Sequence, residues 1–149
     1  MSQLAAKYTP KITRQIKRVN NLRGRPSSSF KFDASKFKEF EFFIYHQNPY
    51  IYKPASGILR LFETALPTLR YHNPDVQFTI TKVEVNDPKE LLELPLMVKI
   101  YGENPENVQT IDCTNKPPHQ ILNELVELTN ARKLKKEEIP FIPLRPTKR

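Results

Sequence analysis

The stretch Ile58-Leu59-Arg60-Leu61-Phe62-Glu63-Thr64-Ala65-Leu66-Pro67-Thr68-Leu69 decides the fold. Counted from Ile58, the apolar residues Leu59, Phe62, Ala65, Leu66 and Leu69 fall at +1, +4, +7, +8 and +11, one face of a helix. Pro67 lies inside that pattern and predicts a bend or a stop, because proline has no N–H to continue the helical ladder. Upstream, Phe37-Lys38-Glu39-Phe40-Glu41-Phe42-Phe43-Ile44-Tyr45 is aromatic-rich and partly alternating, which predicts a strand. A polar, proline-marked loop from His46 to Ser56 joins the two. Downstream, Asn73-Pro74-Asp75 reads as a turn, and Val76, Phe78, Ile80, Val83 and Val85 mark a second strand. Two strands joined through a helix are expected to be parallel, by the right-handed crossover rule.

Beyond them, Asp87-Pro88 opens a short turn or helix through Leu92. Leu96-Met97-Val98-Lys99-Ile100-Tyr101 has the length and composition of a third strand, and Val108 to Cys113 of a fourth. The hairpin loop Gly102 to Asn107 between them predicts an antiparallel pair. Pro117-Pro118 starts a last helix, with Ile121, Leu122, Leu125, Val126 and Leu128 on its buried side. The order β-α-β-β-β-α describes an α/β fold with a mixed four-stranded sheet, in three layers or as an open two-layer domain. It is the pattern of a reduced thioredoxin-like fold.

Of 149 residues, 38% are hydrophobic, below the roughly 45–50% apolar content usual for globular chains, so part of the chain is expected to lie outside the core. The charge explains which part. Residues 1–32 carry eight basic residues (Lys7, Lys11, Arg14, Lys17, Arg18, Arg23, Arg25, Lys31) and no acidic one. Residues 132–149 carry seven basic (Arg132, Lys133, Lys135, Lys136, Arg145, Lys148, Arg149) and two acidic (Glu137, Glu138). The formal charge of +8 therefore leaves residues 33–131 at −5. We read a basic N-terminal extension over 1–32, a body over 33–131 and a basic, proline-rich tail over 132–149. The glycines Gly24, Gly57 and Gly102 are too dispersed for a Gly-rich phosphate loop. Cys113 is the sole cysteine, so neither an internal disulfide nor a CxxC pair can form. No run of 18 or more apolar residues exists, and no membrane contact is expected.

Arg60-Leu61-Phe62, then Leu66-Pro67 with Leu69, then Tyr71 with Asn73-Pro74 and Val76 leading into a strand, resembles one family. It is similar to the thioredoxin-like domain shared by several mitochondrial ribosomal proteins and a small accessory subunit of respiratory complex I. The likeness covers about residues 38–130 in element order, with its specific motif confined to 57–76. Gly57 fits the glycine before that family's first helix, and Pro95 the proline that opens its third strand. The basic N-terminal extension and the Leu-Pro-x-Leu-x-Tyr-x-Asn-Pro string are closest to the branch joining the animal small-subunit protein and its fungal large-subunit relative. The aromatic insertion Asn48 to Lys53-Pro54 and the proline-rich tail depart from the pattern. The resemblance also implies a cis bond at Leu94-Pro95.

Active thioredoxin-like enzymes hold redox cysteines between the first strand and first helix, where a helix N-terminus stabilises a thiolate. Here His46 to Gly57 contains none, and Cys113 reads as a small apolar residue at a strand end. His46, His72 and His119 lack metal-ligand spacing and read as loop or surface residues. Glu39 and Glu41 read as a solvated strand edge, Glu90 and Glu93 as part of a turn, and Glu124 and Glu127 as an outer helix face. No convergent pair suited to acid–base work is nominated. We expect no enzyme, no cofactor, no metal and no small-molecule substrate.

The end segments are the sharper feature. Thr9-Pro10 caps a helix on which Ile12, Ile16 and Val19 form a narrow apolar stripe, with Gly24 as its stop. The segment also has the basic, acid-free composition of a mitochondrial transit peptide, so a targeting role stays open. Cationic segments gain RNA affinity by releasing counterions from phosphates. Lys11, Arg14, Lys17, Arg18, Arg23 and Arg25, with Lys133, Lys135, Lys136, Arg145, Lys148 and Arg149, are the candidate RNA-binding residues. Lys133, Lys135 and Lys136 are expected to extend the last helix. In the tail, Pro140, Pro143 and Pro146 recur every three residues, one turn of polyproline II. Phe141, Ile142 and Leu144 are its candidate protein-binding residues, although disorder in the free protein is an equal alternative. Tyr50 and Tyr52 could stack on a base or pack on their own domain. Together these readings, with the resemblance, point to a structural constituent of the mitochondrial ribosome in the matrix, in the large subunit of a fungus. Its partners would be mitochondrial rRNA and neighbouring ribosomal proteins. A small-subunit protein, a complex I accessory subunit and a thiol enzyme are the alternatives.

Overall fold

In the computed structural model, which describes residues 8–144, the chain runs α1 (Pro10–Gly24), β1 (Phe30–Lys31), β2 (Phe37–Ile44), α2 (Ser56–Thr64), α3 (Leu66–His72), β3 (Gln77–Lys82), β4 (Met97–Gly102), β5 (Val108–Asp112), α4 (Pro118–Thr129) and β6 (Arg132–Lys133). Short 3₁₀ turns fill Pro26–Ser28, Lys53–Ala55, Pro88–Glu93 and Lys136–Glu138.

The main sheet has the order β3-β2-β4-β5. β2 runs parallel to β3, with Phe40 opposite Phe78 and Phe42 opposite Ile80, as the crossover through a helix requires. β4 is antiparallel to both β2 and β5, so the sheet is mixed and the α/β reading holds. The two-residue period of the strands divides the sheet into unlike faces. Phe40, Phe42, Ile44, Val98, Ile100 and Ile111 are buried on one side. There α2 packs on β2 and on α4. Glu39, Glu41, Phe43, Thr79, Thr81, Lys99 and Tyr101 are half-buried on the other. The body is thus an open two-layer arrangement.

The deciding helix is broken where proline predicts. Pro67 cannot donate to the carbonyl of Glu63, so α2 ends at Thr64 and α3 restarts at Leu66. At the start of α2 a Cβ on Gly57 would lie 1.8 Å from the Lys116 carbonyl oxygen, so only glycine fits this approach.

Three expectations are corrected. Lys133, Lys135 and Lys136 do not extend the last helix: Asn130 takes the left-handed conformation (φ 51, ψ 45) and ends α4, and β6 turns back to pair antiparallel with β1. Leu94-Pro95 is trans, with the Leu96 amide closing a tight turn onto the Leu94 carbonyl (3.0 Å). The cis bond among the described residues is Asn48-Pro49. Leu128, in the last turn of α4, is exposed.

Candidate nucleic-acid interface

The N-terminal helix is capped as its sequence predicts, the Thr9 hydroxyl accepting from the Ile12 amide (3.3 Å). What fixes its position is α3. Helices end with unpaired carbonyls, and α3 supplies side-chain donors to those of α1. The Thr68 hydroxyl donates to the Leu22 carbonyl (2.6 Å) and His72 Nε2 donates to that of Arg23 (2.6 Å). Tyr71 lies beneath the Arg23 guanidinium, 5.3 Å from ring centroid to Cζ, a cation–π contact. Immediately afterwards Asn73, 1% exposed, receives the incoming strand. Its Oδ1 accepts from the Phe32 amide (2.8 Å), and its Nδ2 donates to the carbonyls of Phe30 (2.9 Å) and Leu69 (2.8 Å). Lys31 completes the seam, donating to the His72 carbonyl (3.0 Å) and pairing with Asp75 (3.3 Å). Phe32 then enters the aromatic core edge-on to Phe40, with ring centroids 4.7 Å apart. The segment Thr68 to Asp75 is therefore a dock for the N-terminal extension. This use of the Tyr-x-Asn-Pro string was not read from sequence, where Asn73 signalled a turn and His72 a surface histidine.

The docked side of α1 is the side of Ile16, its buried residue. The helical period turns Lys11, Arg14 and Arg18 to the opposite side, with Lys17 on its flank, and all four are exposed. Among the described residues the ion pairs are Lys31–Asp75, Lys116–Glu124 and Arg132–Glu138. The four cations on α1 thus have no carboxylate partner, and the helix has no acidic residue of its own. Arg23 and Arg25 lie apart from this group, half-buried at the helix exit.

The C-terminal candidates are brought back to the same helix. β6 pairs with β1, Phe30 opposite Lys133 and Lys31 opposite Arg132, and leaves Lys133, Lys135 and Lys136 exposed. Glu138 then accepts from Arg132 (2.8 Å) and from the Lys135 amide (3.1 Å). The Arg132 guanidinium first, and that amide second, hold the Glu138 carboxyl down at about 2. Farther on, the Asn20 side chain grips Ile142 on both backbone groups, its Nδ2 donating to the carbonyl (2.7 Å) and its Oδ1 accepting from the amide (2.9 Å). The tail through Leu144 is thereby laid along α1, with Phe141 and Leu144 exposed and Ile142 half-buried. Arg145, Lys148 and Arg149 lie outside the described residues.

The remaining chemistry-bearing residues are placed as structural parts. Cys113 is fully buried, and that burial pushes its thiol up to about 12, far from a nucleophilic thiolate. Glu39 and Glu41 are not at an edge, because β2 is an interior strand. Glu39 accepts from Thr79 (2.6 Å), and Glu41 from Thr81 (2.5 Å) and the Tyr101 hydroxyl (2.8 Å). That bond to Glu41 is the leading cause raising the Tyr101 pKa above its ordinary value. Tyr50 and Tyr52 are pinned by their own loop: the Tyr45 hydroxyl donates to the Tyr50 carbonyl (2.7 Å), and the Gln47 amide donates to that of Tyr52 (2.8 Å). No cluster of three or more potential metal ligands occurs among the described residues. No helix among them is long and apolar enough to cross a membrane.

Residues 61–118 match the family model described as Mitochondrial ribosomal protein L51 / S25 / CI-B8 domain. Over 74 residues the chain is 28% identical to the Large ribosomal subunit protein mL61 of Saccharomyces cerevisiae, covering 50% of this chain and 53% of that protein. The chain thus spans about half the length of the curated relative it matches. These findings bear out the family resemblance, since the Leu-Pro-x-Leu-x-Tyr-x-Asn-Pro string falls inside the matched segment. That segment includes the docking residues Thr68, Tyr71, His72 and Asn73 but neither α1 nor β6.

Proposed function

We propose that this chain, which carries the L51 / S25 / CI-B8 domain of mitochondrial ribosomal proteins, is a non-enzymatic structural constituent of the mitochondrial ribosome, in the large subunit of a fungus. The yeast relative, a large-subunit protein, supports the choice of subunit. The parallel β2–α2–β3 unit, antiparallel β4–β5 hairpin and closing α4 support the reading of a thioredoxin-like body, and the loop before its first helix has no redox cysteine. Its role is to carry basic extensions to mitochondrial rRNA. The observation that carries the reading is the set Lys11, Arg14, Lys17 and Arg18, exposed on one helix without carboxylate partners among the described residues and held on a rigid dock. A fixed cationic ridge meets phosphates with less ordering cost than a free tail. Lys133, Lys135 and Lys136, with Arg145, Lys148 and Arg149, would add phosphate contacts from the second segment. Exposed Phe141 and Leu144, beside Ile142, would meet a neighbouring ribosomal protein.

Washing purified mitochondrial ribosomes with increasing salt tests this. The protein is expected to co-sediment with the large subunit and to leave only at high salt, as a multi-phosphate contact requires. Release at low salt, or sedimentation with respiratory membranes alone, would refute the assignment.

A further inference from the structure

A cavity of 460 Å³ opens on the helical side of the molecule, where the exit of α1 meets α2, the first turn of α4 and β6. Its wall includes Arg25, Arg60, His119 and Lys133 and no carboxylate. None of these four side chains is engaged in a hydrogen bond or an ion pair among the described residues, so their donors are uncommitted. Beside the cavity lie two buried polar atoms without a partner among the described residues, the hydroxyl of Ser28, itself 1% exposed, and Arg25 Nε, although such atoms are almost always hydrogen-bonded. The first turn of α4, which has no acidic residue, completes the wall.

We propose that this cavity receives a backbone phosphate of RNA, with Arg25, Arg60 and Lys133 as its cations. The proposal rests on the rRNA-binding reading and adds Arg60 and the cavity to it. A polyanion is favoured over a lone ion because the cavity continues into a second one. That neighbour shares Arg60 and Pro118 and adds Lys53, against one acid, Glu63; its Lys116 is already paired with Glu124 (3.0 Å). Successive cations along adjoining hollows suit successive phosphates. Arg25 immediately follows α1, the helix that carries the exposed ridge.

The test uses the full chain, a fluorescein-labelled oligouridylate and anisotropy titrations over a range of salt. Arg60→Ala and Lys133→Ala change exposed side chains that have no partner among the described residues, so folding is retained. Each is expected to flatten the plot of log Kd against log salt by about 0.7, the share of one phosphate contact on a single strand. An Arg14→Ala/Arg18→Ala variant, measured in parallel, separates the two ideas. If it weakens binding while Arg60→Ala and Lys133→Ala leave both slope and Kd unchanged, the cavity is overturned and the ridge stands. If the cavity variants alone flatten the slope, the cavity stands and the ridge falls. A polyglutamate peptide that displaces the RNA as efficiently as unlabelled oligouridylate would overturn the RNA assignment in favour of an acidic protein segment.

Discussion

The two end segments carry the same sign of charge but are fastened to the body in opposite ways. The first enters through buried polar groups: Asn73 is 1% exposed and Thr68 likewise 1%. Their bonds satisfy backbone atoms that would otherwise be stranded away from water. The second is held by the two-residue pairing of β6 with β1, by the Leu134 amide on the Ser29 carbonyl (3.0 Å) and by the half-buried Asn20 grip on Ile142. The Arg132–Glu138 pair, whose side chains keep 58% and 34% of their exposure, closes a turn within the segment itself. A buried hydrogen bond is costly to break because its surviving partner cannot turn to solvent. A surface ion pair exchanges readily with water and salt. The first segment should therefore unfold only with the domain, whereas the second should open on its own.

Replacing Asn73 with leucine tests the first half of this contrast most severely. It removes partners from Phe32, Phe30 and Leu69 at one buried point, and the expected loss is about 3 kcal/mol. For a domain of this size that lowers the melting temperature by about 10 °C in a calorimetric scan. A loss no greater than that of a surface substitution would remove Asn73 from its role as the anchor. Thr68→Val keeps the shape and deletes one bond, leaving the Leu22 carbonyl unpaired. About 1–2 kcal/mol is expected, together with faster amide exchange along α1. If α1 exchanges at the wild-type rate, the helix is held without Thr68, by its apolar stripe and by the His72 and Tyr71 contacts to Arg23.

These contacts were unevenly legible beforehand. Local periodicity was enough for the helix over Ile58 to Leu69, its break near Pro67 and the parallel crossover, because each depends on neighbours in sequence. The β1–β6 ribbon was not, since two-residue strands carry no period and their partners lie about a hundred residues apart. Asn130 was a readable stop for the last helix, because asparagine tolerates the left-handed conformation there. Following the charge of Lys133 to Lys136 instead led to a helix that does not continue. Alternation puts Glu39 and Glu41 on one face of their strand, but they were read as a solvated edge. Their place in an interior strand follows from strand order, which no local pattern encodes. Among the interface residues, charge alone marked Lys11, Arg14, Lys17 and Arg18. Arg60 belongs to a cavity assembled from stretches far apart in the chain and was visible only as part of the helical string.

On the looser side of the contrast, Asn20→Ala deletes both bonds to Ile142 and is expected to cost no more than about 1 kcal/mol. Its main effect should be local. Limited proteolysis should cut within residues 139–144 several times faster, with the melting temperature little changed. If cleavage stays at the wild-type rate, the tail is held by something other than Asn20, for which Ile139 against Gly24 is the next candidate.

Acid should produce the smallest effect, confined to the turn at Lys136–Glu138. The carboxyl of Glu138 sits at about 2, below its ordinary 4.5, so the folded turn binds a proton less readily than the opened one. Its contribution is present in full above about pH 4.5 and fades as the pH falls toward 2. An NMR titration of the Glu138 side chain should report that low midpoint in the wild type. In Arg132→Ala the midpoint should move up toward 4.5, stopping short of it because the Lys135 amide still donates to the carboxylate. The Asn73-bound amide of Phe32 should keep its shift through the same range. Loss of both signals together would mean that the two segments open as one unit, and the contrast between them would collapse.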